Sequence, residues 1–281
     1  MLPSVAALAA VCLLLPESRP DVRHGMHSGA RSATPIMKTP PPRSISPRQV
    51  AGLAAFGATA GPLVDAVHNQ ALLTYKIMPV SIAPLNAETS LLIPPLLGVA
   101  YVLLGSVLPA VSERLVGSGC LTRNHARHSE SDNTSARGKT AAVAVLSTIA
   151  IIKASELLVL SSLPVGACLA LLLAACCCQW IALDGSFASL ALALTAAVGG
   201  PLAELPLMAL GCWSYNAPDY FPLVPFLGDD FGPFGAAGST WAGLNLITAP
   251  CYFAVTTDAI ALGRWFAGLG SGAVASDTDR E

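Results

Sequence analysis

The chain has 281 residues, of which 53% are hydrophobic and only 11% charged, with a formal net charge of −2. Soluble domains carry roughly 25% charged residues, so too few are present here to keep a surface wet. The near-neutral balance gives no footprint for nucleic acid, and an apolar content rich in Ala, Leu and Val suits helices packed closely in lipid.

In chain order, residues 1–49 differ from everything that follows. Met1–Leu15 is apolar, and Arg19, Arg23, Arg31, Lys38, Arg43 and Arg48 come next among Ser, Pro and Thr. This pattern reads either as a targeting leader, a signal peptide joined to a plastid transit-like peptide, or as a disordered basic tail. Six apolar segments then occupy residues 50–266, each near the roughly 20 residues that span a bilayer core. They run from about Val50 to Leu73, Leu91 to Val111, Thr140 to Leu160, Val165 to Leu183, Phe187 to Trp213 and Thr240 to Leu262. Residues 267–281 read as a disordered tail. The expected fold is all-α, a polytopic membrane bundle of about six transmembrane helices. Strands are not expected, because no alternating pattern recurs as a barrel would need.

The basic residues set an orientation. They precede the first segment, lie between the second and third (Arg114, Arg123, Arg127, Arg137, Lys139), and follow the sixth (Arg264, Arg280). An even number of spans places these regions together, so both termini are expected on the cytosolic or stromal side. The opposite side receives Lys76, the Ser161–Pro164 turn and the acidic loop with Asp219, Asp229 and Asp230. The glycosylation triplet Asn133–Ser135 falls on the basic side and is expected to go unused.

Eight cysteines include the apolar run Cys176–Cys178, and no CxxC pair accompanies a histidine set, so neither metal nor cofactor is expected. Charges inside the spans are more informative, because lipid makes them costly. Asp65 and His68 share a helix face, and Lys153 and Glu156 repeat that spacing as an intrahelical ion pair. Glu204 follows Gly199, Gly200 and Pro201, where a helix break is expected, and Asp258 lies near the end of the sixth segment. These groups form either a proton or ion path or a set of neutralised pairs and hydrogen-bonded glue. The second reading is favoured, since no dense chain of acids crosses one span as in pumps. GxSxG, HExxH and Walker patterns are missing, so an enzyme is not expected, although intramembrane chemistry by Asp65, His68 or Glu204 stays open.

Several short motifs resemble the INSIG (insulin-induced gene) family. Leu91–Leu92–Ile93–Pro94–Pro95, with Gly105 and Pro109 beyond, is similar to that family's second helix. Ala154–Ser155 matches its third. Trp180 and Asp184 match a Trp-Trp-x-Phe-Asp-Arg-Ser stretch in spacing, and Tyr215–Asn216–Ala217–Pro218–Asp219 resembles Tyr-x-Ser-Pro-Asp. Gly61–Pro62–Leu63–Val64–Asp65–Ala66–Val67–His68 is similar to the plant and algal branch. The order of these motifs runs from about Ala51 to Trp265. The sixth segment departs from the family, with Thr248–Ala249–Pro250 and Thr257–Asp258 where animal members carry Gly-Gly-x-x-x-Gly-Asn.

The resemblance implies a non-catalytic regulator of the endoplasmic reticulum membrane that binds a sterol or other isoprenoid lipid. It also implies retention of sterol-sensing membrane partners, such as the SREBP escort protein and HMG-CoA reductase. By position, Asp184 becomes the partner-binding residue, with an N-cap for the fifth helix as its structural alternative. Lys153, Ser155, Glu156 and Trp180 become candidates for the lipid pocket, and Asp65, His68, Glu204 and Asp258 remain as intramembrane polar groups. The competing reading is a plastid membrane protein acting as a lipid-modifying enzyme or small transporter, which the leader, Asp65, His68 and Glu204 favour.

Overall fold

A computed structural model describes residues 45–83, 87–116, 134–232 and 239–269. The leader-like residues 1–44, the loop basic residues Arg123 and Arg127, the Asn133 acceptor and the tail from residue 270 lie outside the described residues. The fold is mostly helical. Helix α1 is Pro47–Leu72, and strands β1 (Leu73–Tyr75), β2 (Pro79–Ile82) and β3 (Ala87–Ser90) follow it. Helix α2 (Ile93–Val102) runs through a π turn (Leu103–Val107) into α3 (Leu108–Val116). Helices α4 (Thr134–Val159), α5 (Val165–Leu183) and α6 (Phe187–Ala209) come next, then β4 (Trp213–Tyr215), the short α7 (Val224–Leu227) and finally α8 (Thr248–Gly268).

Five helical runs are long and apolar enough to cross a membrane: Pro47–His68, Ile93–Arg114, Ala136–Val159, Val165–Leu183 and Phe187–Ala209. The expected sixth segment is also a helix, α8, whose 21 residues reach about 30 Å, the thickness of a bilayer core. It carries Asp258 and several threonine hydroxyls, and its surroundings explain why they are tolerated. Every residue from Thr256 to Gly263 is buried, and α8 packs against α1, α4, α5 and α6. A helix enclosed by protein meets little lipid, so its hydroxyls and Asp258 need only protein partners.

Expectation and structure differ at three places. Short strands exist: β1 pairs with β4 and β2 with β3, each as a two-stranded antiparallel ladder outside the spans. No closed sheet forms among the described residues. The fifth helix stops at Ala209 because Gly211 turns the chain at φ 77°, and the sixth begins only at Thr248. The break expected before Glu204 does not occur. Helix α6 continues through Pro201 and Pro206, and Gly200 lets the Tyr252 ring press onto it; a Cβ there would sit 2.3 Å from that ring. Packing by α8 thus holds a proline-bearing helix together, as membrane helices allow.

Contacts sort the chain into two ends. Phe266 packs on Gly52, Trp265 on Gly138, and Arg264 bonds to Asp184, so the start of α1, the start of α4, the α5–α6 turn and the end of α8 meet. At the other end, β1 and β4 join the end of α1 to the end of α6, and Asp219 accepts from the Leu246 N–H ahead of α8 at 2.8 Å.

Candidate functional site

The β1–β4 ladder supplies part of the site. In register, Leu73 faces Tyr215 and Tyr75 faces Trp213. Alternation along a strand puts Trp213 and Tyr215 on one face, and that face is buried. Tyr75 meets Trp213 edge-on at a centroid distance of 6.4 Å. The ladder therefore delivers three aromatic side chains with polar tips to the interior, which is the geometry in which such tips find partners.

Those partners are carboxylates. Glu204 Oε2 accepts from Trp213 Nε1 (3.1 Å) and from the Tyr215 hydroxyl (2.9 Å), while Tyr252 of α8 donates to Oε1 at 2.7 Å. Tyr75 donates to Asp65. Beside them, Ser155 Oγ donates to the Ile152 carbonyl at 2.7 Å and contacts His68 Nδ1 at 2.8 Å, and Cys251 Sγ donates to Ser155 Oγ at 3.4 Å. The His68–Ser155 contact ties α1 to α4 beside these carboxylates. Burial raises the Tyr215 phenol well above its ordinary value, and the Glu204 charge raises it further, so Tyr215 stays a donor.

A cavity of about 110 Å³ opens between these groups. Asp65, His68, Glu204, Tyr215 and Tyr252 form its polar part, and Val64, Leu97, Leu104, Ile152 and Val255 belong to its apolar walls. Pockets that enclose a drug-sized ligand measure about 300–1,000 Å³, so this volume is too small to enclose such a molecule whole. Leu63, Leu96, Val99 and Leu103 on α1, α2 and the π turn are exposed apolar side chains.

The sequence-derived candidates are distributed as follows. Asp65, His68 and Glu204 line the cavity; Ser155 buttresses it through His68. Asp258 stands one layer behind, accepting from the lining residue Tyr101 at 2.9 Å. Lys153 and Glu156 form the ion pair expected of their spacing, with the lysine half exposed, and neither lines this cavity. Trp180 donates from Nε1 to the Ser186 carbonyl and to Ser189 Oγ, both at 3.0 Å, and so fastens the α5–α6 turn.

Asp184 occupies the C-cap of α5, not an N-cap; the N-cap of α6 is Ser186, whose side chain accepts from the Ser189 N–H. Asp184 is 9% exposed, pairs with Arg264 at 2.9 Å and accepts from Ser186 Oγ at 2.5 Å. Burial works to raise its carboxyl, but Arg264 and the two serines outweigh that and hold it below the usual value. Sequence reasoning missed Tyr101, Tyr252, Cys251 and the Trp213–Tyr215 pair. The available signal was the i, i+2 spacing of Trp213 and Tyr215 just beyond a buried glutamate.

Comparison with known proteins adds the family. The model of the family described as insulin-induced protein (INSIG) matches residues 48–267. A solved structure of a cross-linked MvINS trimer aligns with a TM-score of 0.54 at 20% identity, covering 80% of this chain and 97% of the other. No curated protein matches.

Proposed function

Because this chain belongs to the INSIG family, we propose that it is a non-catalytic membrane regulator that holds a sterol or other isoprenoid lipid by its polar end and retains a membrane partner. The single observation that supports the lipid half is the bundle cavity itself, with a hydrogen-bonding end at Asp65, His68 and Glu204 and apolar walls beyond. The partner half rests on Asp184. Tied to Arg264, it fixes the α5–α6 turn against the end of α8, and a partner reads the surface that this arrangement sets.

Both halves have direct tests. A photoreactive sterol is expected to label the chain saturably, with adducts on α1, α2 or α8 around the cavity; labelling that never saturates removes the lipid half. A co-expressed sterol-sensing-domain protein is expected to co-purify with the wild type and to be lost from Asp184→Ala and from Arg264→Gln. Undiminished co-purification by both variants removes the partner half.

The family points to the endoplasmic reticulum, with both termini in the cytosol. The leader-like composition of residues 1–49 supports a second reading, a plastid membrane protein acting as a lipid-modifying enzyme or transporter. A fluorescent tag on the C-terminus separates them, since a reticular pattern supports the first and an envelope pattern the second.

A further inference from the structure

Exposed apolar side chains continue past the spans at the end of the bundle that carries β1 and β4. Val99 and Leu103 are exposed on the span Ile93–Arg114, and Leu91, just ahead of α2, is 56% exposed. The Leu91 N–H donates to the Met78 carbonyl at 3.1 Å, and Met78 is 54% exposed. Its neighbour Ile77, also exposed, donates its N–H to the Cys212 carbonyl at 3.3 Å. Two residues before Cys212 stands Leu210, the C-cap of α6, at 73% exposure. Backbone contacts thus link Leu91, Met78, Ile77 and Leu210 into one apolar rim between the ends of two spans. The rim is firmly mounted. Ser90 Oγ donates to the Ile77 carbonyl at 2.7 Å, the Lys76 N–H shares the Cys212 carbonyl at 2.9 Å, and the Glu88 N–H donates to Gln70 Oε1 of α1 at 3.2 Å. Met78 holds φ 48°, a left-handed conformation that residues with a side chain rarely adopt. Glycine would sit there without strain, so the position keeps a large apolar side chain against a local backbone preference.

Polarity changes along the β2–β3 hairpin. Its base carries the rim, whereas further along the ladder Ser81 pairs with Glu88 and both are exposed. A lipid surface fits this gradient, apolar at the level of the span ends and polar beyond them. Irregular backbone tolerates contact with lipid only where its polar groups are already paired. At the rim the carbonyls of Ile77 and Met78 and the N–H groups of Ile77 and Leu91 all have protein partners. Lys76, exposed beside Ile77, can lay its stem along the rim and keep its ammonium at the level of headgroup phosphate. Continuity with the exposed faces of the spans selects lipid over a protein partner. We infer that the rim of Ile77, Met78, Leu91 and Leu210 is seated in the lipid of the leaflet at this end, which makes the hairpin an interfacial element of the fold. The partner is the bilayer itself, whatever the cavity holds.

The test uses the full, unsubstituted chain in phosphatidylcholine nanodiscs doped with a phosphatidylcholine that carries a diazirine near the carbonyl end of one acyl chain. After illumination, adducts mapped by peptide mass spectrometry are expected on Ile77, Met78, Leu91 and Leu210, as on the span residue Val99, and not on Ser81 or Glu88. Adducts on Val99 with none on the four rim residues overturn the inference, the result expected if a second copy of the chain or another protein covers the rim. Equal yields at Met78, Ser81 and Glu88 also overturn it, because lipid would then not distinguish the base of the hairpin from its outer part. A bimane on a single cysteine, with the eight native cysteines replaced, gives an independent readout. At Met78→Cys it is expected to be quenched more by a nitroxide on the lipid acyl chain than by iodide in water, and at Ser81→Cys the order is expected to reverse. Stronger quenching by iodide at both positions overturns the inference.

Discussion

Asp258 is 1% exposed and makes one hydrogen bond, from Tyr101, while its Oδ1 has no partner among the described residues. A buried acceptor left without its donor costs about 1–3 kcal/mol. Tyr101→Phe is therefore expected to destabilise the protein by about that amount. Asp258→Asn keeps an oxygen for the Tyr101 hydroxyl and discards the charge, so it is expected to cost less. The double variant Tyr101→Phe with Asp258→Leu removes both polar groups together and is expected to lose less than the sum of Tyr101→Phe and Asp258→Leu. Thermal unfolding in nanodiscs ranks the four proteins, and an Asp258→Asn variant weaker than Tyr101→Phe would reject this account. The same reasoning explains what the sequence could say about single residues. Spacing along a helix predicted the Lys153–Glu156 pair because both partners lie on one turn. It could not predict that Asp258 meets Tyr101 or that Glu204 meets Tyr252, since those partners are 157 and 48 residues apart and arrive only through packing.

Between elements, the π turn and α8 cross in close backbone contact. A Cβ on Gly263 would lie 2.0 Å from the Gly105 carbonyl oxygen, and one on Gly105 would lie 2.3 Å from the Ala259 carbonyl oxygen. Backbone meets backbone there, so no side chain can swing away. Gln49 Nε2 donates to the same Gly105 carbonyl at 3.3 Å, tying the start of α1 into the crossing. Gly263→Ala is expected to separate the helices and cost about 1–3 kcal/mol, as overpacking does. Gly199→Ala, where a new Cβ meets nothing within 4 Å, is expected to be neutral or stabilising by up to about 1 kcal/mol. Unfolding midpoints for the two variants check this, and equal losses would contradict it. Hydrophobic runs made the helices legible, and α5 spans the same residues, Val165–Leu183, as its apolar run. They could not reveal the ladders, because three- and four-residue strands carry too little periodicity, and Trp213–Tyr215 reads as the end of an apolar run. Nor could they show that α6 survives Pro201 and Pro206, which depends on α8 lying against Gly200.

At the scale of the whole molecule, the two ends differ in charge. Arg48, Arg114, Arg137, Lys139 and Arg264 gather where α1 begins and α8 ends, whereas Lys76, Asp219, Asp229 and Asp230 belong to the other end. The Asp184–Arg264 pair stands at the basic end and counters part of that charge. A basic excess within a turn or two of span ends resists translocation, so it selects the side that stays behind. The contacts around α8 reach both ends of the bundle, Arg264 to Asp184 at one and the Leu246 N–H, just ahead of the helix, to Asp219 at the other, so α8 is expected to run the full depth. An interfacial α8 would bring both to one side. Single cysteines at Asp229 and Leu269, which lie before and after α8, in a background with the eight native cysteines replaced, separate these cases. Membrane-impermeant maleimide, applied to sealed vesicles, is expected to react with one position only, and the second is expected to react after the bilayer is opened. Reaction at both positions in sealed vesicles of one orientation would place the basic and acidic ends on the same side, and both the even span count and the transmembrane course of α8 would have to be given up.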